Sequence, residues 1–498
     1  MKTKLLALIL AVSLIVGLLA GCGSKAPATS EPGVVDTSKE VNLVMYVISD
    51  RPAGQDIVDE NLNKILKEKM NTTLTINWIP WSDYANKYAL LFSSGEVFDL
   101  VYTSSWVNFT SLAQKGAFMS LDELWPTYAP NNFAKTTAEA KMQATVDGHY
   151  YCIPSQLATY RAYGAVYRAD LMEGSDWSGK METWEDIEAY LDIVKANHPG
   201  IDPLDIYSSG SEVDDMWIFS NGYNPSKGST NDFLFYDMSS DSPKLETYYE
   251  IESIPAFLEM MNRWNEKGFF SKSALADTDS SKMQNGKSAL KFHNIDTYSG
   301  TYIQHPDWGF QYAPMNKYMA HLPFTQDSVS ISTTSKNPER AMAFWELLTS
   351  DQEVYDAFMY GVLGTSYVLN EAGQFRITDP STYATSAMWA ARTTGLNRDA
   401  DGTPEAYGQW HAVFEEQIAA DNTAERYSAF VIDTSSIETE YAACQNVHQQ
   451  YWWPLELGYV DPVEGLAEYQ AKMEAAGIEK VREVIQAQLD AYVANMAK

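Results

Sequence analysis

The sequence predicts an exported α/β protein with a largely parallel sheet, covering helices and more than one domain. Three observations carry that prediction. Strand-like and helix-like segments alternate from Val41 to Tyr102, the signature of a parallel sheet with crossover helices. About 458 residues follow a polar N-terminal stretch, too many for one hydrophobic core and suited to two or three domains. The chain also opens on an export signal, and its 45% hydrophobic content supports a folded protein.

Lys2 and Lys4 precede an uncharged apolar run from Leu5 to Leu19, then Leu19-Ala20-Gly21-Cys22 and polar sequence. A basic start, an apolar stretch and small residues at a cut site describe a secretory signal peptide. The run is 15 residues long, and a helix needs about 20 to span a bilayer. The cysteine after the cut resembles the lipobox of bacterial lipoproteins, which implies that residues 1–21 are removed and that Cys22 carries a diacylglycerol at the mature N-terminus. Such an anchor holds a protein on the membrane without spanning it. Gly23 to Glu40 is rich in Ser, Ala, Pro, Thr and Gly, so residues 22–40 read as the lipidated cysteine and a flexible tether. The folded part is expected from Val41.

Val41 to Ile48 is a β-rich apolar run, and Ile57, Val58, Leu62, Ile65, Leu66 and Met70 have helical spacing. Thr72 to Ile79 alternates through Leu74, Ile76 and Trp78; a helix follows through Leu91, and Phe98 to Tyr102 predicts a third strand. Ligands of such sheets lie beyond the carboxyl ends of the strands. Here those ends are Ser49-Asp50-Arg51, Pro80-Trp81-Ser82-Asp83 and Thr103 to Trp106. Thr183 stands three residues before Asp186 and opens an amphipathic helix on Trp184, Ile187, Leu191 and Val194. Asn337-Pro338 opens another, Ser350 with Glu353 predicts a capping box for a third, stopped by Gly361 or Gly364, and from Val463 to Met496 the chain is mostly helical.

Composition narrows the function. The net charge of −31 becomes −33 when Lys2 and Lys4 leave with the signal, which disfavours nucleic acid and strongly anionic ligands as partners. Tyr, Trp and Phe reach 13%, with 31 Tyr and 14 Trp; rings with an apolar face and a polar tip suit ligands that are partly apolar and partly hydroxylated, such as sugars. Cys152 and Cys444 are too few to staple a chain this long. Free buried thiols are the preferred reading, with a mutual disulfide left open.

Taken together, several blocks resemble the extracellular solute-binding proteins of ABC transporters, specifically the large family 1 lipoproteins that bind carbohydrates. They are the lipobox, Gly95-Glu96-Val97-Phe98-Asp99-Leu100-Val101, Gln284-Asn285-Gly286-Lys287-Ser288-Ala289-Leu290, and Ser335-Lys336-Asn337-Pro338-Glu339-Arg340-Ala341 running on to Ser350-Asp351-Gln352-Glu353 and Tyr360-Gly361. The resemblance implies a two-lobed, periplasmic-binding-protein-like (type II) α/β fold with hinge strands and an interlobe ligand cleft. It places the first lobe at 41–160 plus 315–365 and the second at 161–314 plus 366–498. It implies a monomer that captures an oligosaccharide, here expected to be neutral, and hands it to the permease subunits of an importer. Its membrane contact is by lipid anchor only, at the outer face of the bacterial cytoplasmic membrane, with no nucleic acid partner and no cofactor. Peptide transport and glycoside hydrolysis are the alternatives.

Carried over by position, the ligand-binding candidates are Asp50, Arg51, Trp81, Trp106, Gln156, Tyr160, Trp217, Asn294, Asp296 and Tyr298. Planar rings stack on the apolar faces of pyranoses while carboxylates and amides hold hydroxyls. Alginate-type relatives carry a calcium loop after the helix matching Trp184–Lys195. Here Asn197-His198-Pro199-Gly200-Ile201-Asp202-Pro203 lacks spaced oxygen ligands, and Asn397 to Gly408 lacks the twelfth-position carboxylate of an EF-hand, so no metal is expected at either place. The sequence has no HExxH, GxSxG or Walker motif and its seven His are scattered, so no catalytic residue is assigned.

Overall fold

The computed structural model describes residues 33–496 except 82, 208–211, 228–231 and 280; the signal segment and Cys22 lie outside the described residues. Strand β1 (Val41–Ile48) buries alternate side chains, Leu43, Met45 and Val47. Helix α1 (Gln55–Met70) buries Val58, Leu62, Leu66 and Met70 at helical spacing, then turns through Asn71 in the left-handed region, φ 48°. It delivers the chain into β2 (Thr72–Ile79), parallel to β1 along its whole length. Helix α2 (Tyr84–Ser93) and β3 (Leu100–Thr103) complete the expected alternation, with β3 pairing parallel along the other edge of β1. Through β4 (Ile153–Pro154) the chain then leaves for a second sheet.

That second sheet begins with β5 (Tyr163–Arg168), followed by α3 (Trp184–Asn197), β6 (Asp202–Leu204), α4 (Val213–Ser220), α5 (Ile254–Lys267), β7 (Ser288–Asn294), α6 (Ile295–Gln304) and β8 (Phe310–Pro314). Its order is β8-β5-β7-β6. Returning, β9 (Ser328–Ile331) inserts antiparallel between β3 and β4, so the first sheet reads β2-β1-β3-β9-β4. Helices α7 (Pro338–Leu348) and α8 (Gln352–Met359) cover it. After an excursion the chain crosses again to α9 (Glu405–Ala420), α10 (Glu438–Val447), α11 (Pro462–Ala476) and α12 (Ile478–Met496). The result is the two-lobed α/β architecture, each lobe with its own buried core.

The sequence blocks acquire physical roles. The buried Asp99 carboxylate accepts from Val44 N at 2.9 Å and from Ser335 Oγ at 2.6 Å, stitching β1 to the segment that opens α7. Arg340, 4% exposed, donates to the carbonyls of Met70 (3.0 Å) and Asn71 (3.2 Å) at the C-terminal end of α1, and to Thr72 Oγ1 at 2.8 Å. It also donates to the Asp36 carbonyl. The chain is therefore held from Asp36, four residues earlier than the end of the expected tether; Asn71 Nδ2 on Thr37 O and the Lys67–Glu40 ion pair add to the hold. Thr183 forms the expected capping box with Asp186. The third expected cap moves by one residue: Asp351, not Ser350, accepts from Glu353 N and Val354 N, while the Ser350 hydroxyl turns back to Glu346 O. A carboxylate at the dipole's positive end is the stronger acceptor.

One boundary differs. Residues 366–401, grouped above with the second lobe, put Tyr367, Met388, Ala390 and Ala391 into the first core. Their hairpin, Tyr367–Leu369 with Phe375–Ile377, lies in this excursion. Residues 426–494 fill the second core through Phe430, Tyr441, Trp452, Tyr469, Ile485 and Leu489, and Trp452 Nε1 donates to the buried Asp214 at 2.8 Å. Cys152 and Cys444 are free, buried, and members of different cores. No helix among the described residues is long and apolar enough to cross a membrane.

Candidate functional site

The carboxyl ends of β2 and β3 present an aromatic platform. Trp81 follows the Ile79-Pro80 end of β2 and is 41% exposed. Trp106 sits in a single 3-10 turn, Ser105–Val107, set by Ser104, whose hydroxyl accepts from Trp106 N and donates to Gln326 O at 2.6 Å. Their rings lie 6.0 Å apart, 26° from parallel. A third indole, Trp389, stacks on Trp81 at 6.2 Å and 22°. Tyr84 meets both Trp81 and Trp106 edge-on, and buried Tyr102 lies under Trp106 and Trp389. Three indoles in near-parallel planes, one well exposed, make a surface for flat, partly apolar ligand faces.

Opposite in chemistry is the corresponding end of the second sheet, where β7 ends beside the start of β5. His293 pairs with Glu212 at 3.5 Å and contacts Thr297 Oγ1 at 2.7 Å. Glu212 is held in the left-handed region, φ 51°, an uncommon state for a side-chain-bearing residue, and its Oε2 is buried with no hydrogen-bond partner among the described residues. Tyr407 from α9 donates to Asp296 Oδ1 at 2.6 Å. Lys291 reaches Tyr207 OH at 3.4 Å and lies over its ring. This end therefore offers acceptors and donors rather than bare rings.

Between the lobes, two crossings run side by side. Tyr160 and His321 form a bridge; Arg161 N donates to Ala320 O and Leu322 N to Thr159 O, both at 2.8 Å. His321 lies between two carboxylates, Nδ1 at 3.0 Å from Glu425 and Nε2 at 3.2 Å from Glu415. The hydrogen bond with Glu425, with help from Glu415, raises its pKa to about 9. Tyr160 donates to the same Glu415 at 2.5 Å. Arg161, 1% exposed, gives Nη1 to Asn224 at 2.5 Å, whereas Nε and Nη2 have no hydrogen-bond partner among the described residues.

The sequence candidates separate accordingly. Trp81 and Trp106 come together in the platform. Asp50 and Arg51 are exposed at the end of β1, and Arg51 is engaged by Asp56 at 2.6 Å and Asp59 at 3.4 Å. Gln156 and Tyr160 lie in the first crossing; both amide atoms of Gln156 are buried with no partner among the described residues. Asp296 is exposed near the hinge with Tyr407. Three candidates sit apart from these groups. Trp217 packs between Trp184 and Phe257 and donates to Ser253 Oγ at 3.0 Å. Tyr298 is 1% exposed against Tyr302 and Tyr312, and Asn294 caps α6 by accepting from Thr297 N at 3.0 Å. Sequence reasoning missed Trp389, Glu212 and Tyr407. The high aromatic count was the only signal for the first, and loops after strand ends the only one for the second.

Comparison with known proteins agrees with this architecture. The family model for bacterial extracellular solute-binding proteins matches residues 51–355, and a model for a domain of unknown function matches residues 426–494. A carbohydrate ABC transporter substrate-binding protein of Streptococcus pneumoniae is 24% identical over 484 residues, covering 96% of each chain. Among solved structures, the N-glycan transport solute binding protein NgtS of S. pneumoniae, in complex with Man1GlcNAc, superposes with a TM-score of 0.74 at 22% identity, over 91% of this chain and all of that one. The alginate-binding protein AlgQ2 without calcium gives 0.64 at 16% identity, over 91% of this chain and 98% of that one.

Proposed function

The chain belongs to the bacterial extracellular solute-binding proteins, and from that premise we propose that it captures an oligosaccharide between its lobes and delivers it to the permease of an ABC importer. The observation that carries the sugar reading is the stack of Trp81, Trp106 and Trp389. Pyranose rings present apolar faces to indoles and hydroxyls to carboxylates and amides, and the second lobe offers Glu212, Asp296 and Tyr407 for the latter. The names of the relatives, one a carbohydrate-transport protein and one bound to Man1GlcNAc, support the same class. A net charge of −31 favours a neutral sugar over a uronate.

The mechanism is hinge closure. The ligand docks on the indoles of the first lobe, and rotation at the Tyr160–His321 bridge brings the polar end of the second lobe onto its hydroxyls. Contacts made only in the closed form shift the population toward it. No reaction is required of the protein, whose role is to bind and release. By this reading the Leu19-Ala20-Gly21-Cys22 segment directs lipidation of Cys22, leaving a monomeric binding protein anchored at the outer face of the membrane.

A thermal-shift screen of the chain from Gly33 against neutral oligosaccharides, uronates and peptides tests the proposal, because a ligand of the folded state alone raises its melting temperature. The expected result is a shift with a neutral sugar class, including Man5GlcNAc, with which NgtS has also been solved in complex, and recovery of the sugar uncut. A shift with peptides alone, or recovery of cleaved sugar, overturns the reading.

A further inference from the structure

We propose that Arg392 is a positioning residue, which holds Trp389 in the indole platform by pinning the turn Trp389–Ala391 to both hinge crossings. The inference rests on the platform reading above, but its first readout needs no ligand. Arg392 contacts each part of the assembly. Its Nη2 pairs with Asp327 Oδ2 in the second crossing, and its carbonyl accepts from Gln156 N in the first at 3.3 Å. Its Nε donates to the carbonyl of Trp389 itself at 3.2 Å. Asp327, 6% exposed, in turn accepts from Tyr102 OH at 2.7 Å, and Tyr102 is the ring under Trp106 and Trp389. The Asp327 carbonyl accepts from Ser155 N at 2.8 Å, tying the two crossings to each other.

The chain around Trp389 explains why such a pin is needed. Trp389 is not on a strand end like Trp81 and Trp106. It arrives on the excursion 366–401, whose local structure is one short hairpin and a single turn. Met388, Ala390 and Ala391 are buried and fix the height of the turn over the first core, yet small apolar contacts leave a ring free to rotate or slide. A guanidinium with several donors in a fixed plane sets an orientation that packing alone does not. Its side chain is 21% exposed and that of Asp327 8%, so removing the cation strands a largely buried carboxylate beside Tyr102, which costs more than a surface pair.

Besides Asp327, the carboxylate of Asp296 on α6 acts on the charge of Arg392, and Tyr407 on α9 donates to that carboxylate.

The matched control lies in the same excursion. Arg398 pairs with Asp356 at 2.7 Å, with side chains 22% and 13% exposed, but touches neither crossing nor any platform ring. Tryptophan emission and iodide quenching are measured for the wild type, Arg392→Gln, Arg392→Lys and Arg398→Gln, each minus its Trp389→Phe counterpart to isolate Trp389. Man5GlcNAc affinity is measured in parallel by calorimetry. Arg392→Gln is expected to shift the Trp389 signal to longer wavelength, raise its quenching and, where the wild type binds Man5GlcNAc, weaken binding by about tenfold, as loss of preorganisation does. Arg392→Lys keeps a cation for Asp327 but loses the planar fork that also holds the Trp389 carbonyl, so it is expected to move the Trp389 signal in the same direction by a smaller amount, and it serves if the glutamine variant does not fold. Arg398→Gln destabilises the chain without moving the Trp389 signal. Unchanged Trp389 emission and quenching in Arg392→Gln and Arg392→Lys, or an equal change in Arg398→Gln, overturns the proposal. Absence of Man5GlcNAc binding by the wild type bears only on the sugar reading.

Discussion

At the scale of single residues, ring placement gathers part of an aromatic-rich chain into one partly exposed platform. Trp106→Ala is expected to weaken sugar binding by about 1–3 kcal/mol while leaving the fold intact, because it removes one stacking face from a supported platform; calorimetry against the sugar found in the thermal screen measures it. The hinge histidine gives a pH prediction. Since Glu425 and Glu415 raise the pKa of His321 from 6.5 to about 9, its folded form holds a proton more tightly than the unfolded chain. The stability it adds is fully present below about pH 6.5 and is lost as pH rises through about 9. The melting temperature of the wild type is expected to fall over that interval more than that of His321→Gln. Residue roles were only half legible in the sequence. Trp81 and Trp106 could be placed side by side because they sit where parallel strands end. Trp217 and Tyr298 have the same chemistry, but an aromatic ring serves a core as readily as a ligand, and only three-dimensional packing separates the two.

Among elements, the strands and helices of the first lobe were legible because their burial has a clean period: two in β1, three to four in α1. The excursion 366–401 was not, since its buried residues, Tyr367, Met388, Ala390 and Ala391, have no period and their partners lie far away in the chain. That loss also hid Trp389. Arg340 shows how a family block of a few letters does structural work between elements: one side chain closes the carbonyl end of α1 and fastens residues 36–39. Arg340→Ala is expected to lower stability by about 1–3 kcal/mol through the stranded buried carbonyls, and to speed tryptic cleavage after Lys39, followed by mass spectrometry. Asp99→Ala, which releases Val44 N and Ser335 Oγ together, is expected to cost about 2–4 kcal/mol in a denaturant titration.

In the whole molecule, the lobes are also joined by polar contacts outside the crossings. Gln114 Nε2 donates to Asp433 at 3.2 Å, and Lys115 pairs with Glu438. Both join the first lobe to the C-terminal region matched by the domain of unknown function. These pairs are exposed and each is worth up to about 1 kcal/mol. Lys115→Glu is therefore expected to enlarge the radius of gyration of the free protein in small-angle scattering, less so at high salt, and Lys115→Glu with Glu438→Lys to restore it. The two cysteines of the folded region bear on how such motion can be watched. Cys152 and Cys444 are fully buried, and burial pushes both thiols up to about 12, so at neutral pH neither is a thiolate nor open to a reagent. Without Cys22, the protein is chemically blank toward maleimide dyes. One cysteine introduced on the surface of each lobe can carry a donor and an acceptor with no background labelling, making the chain a reagentless optical sensor for whatever sugar closes it.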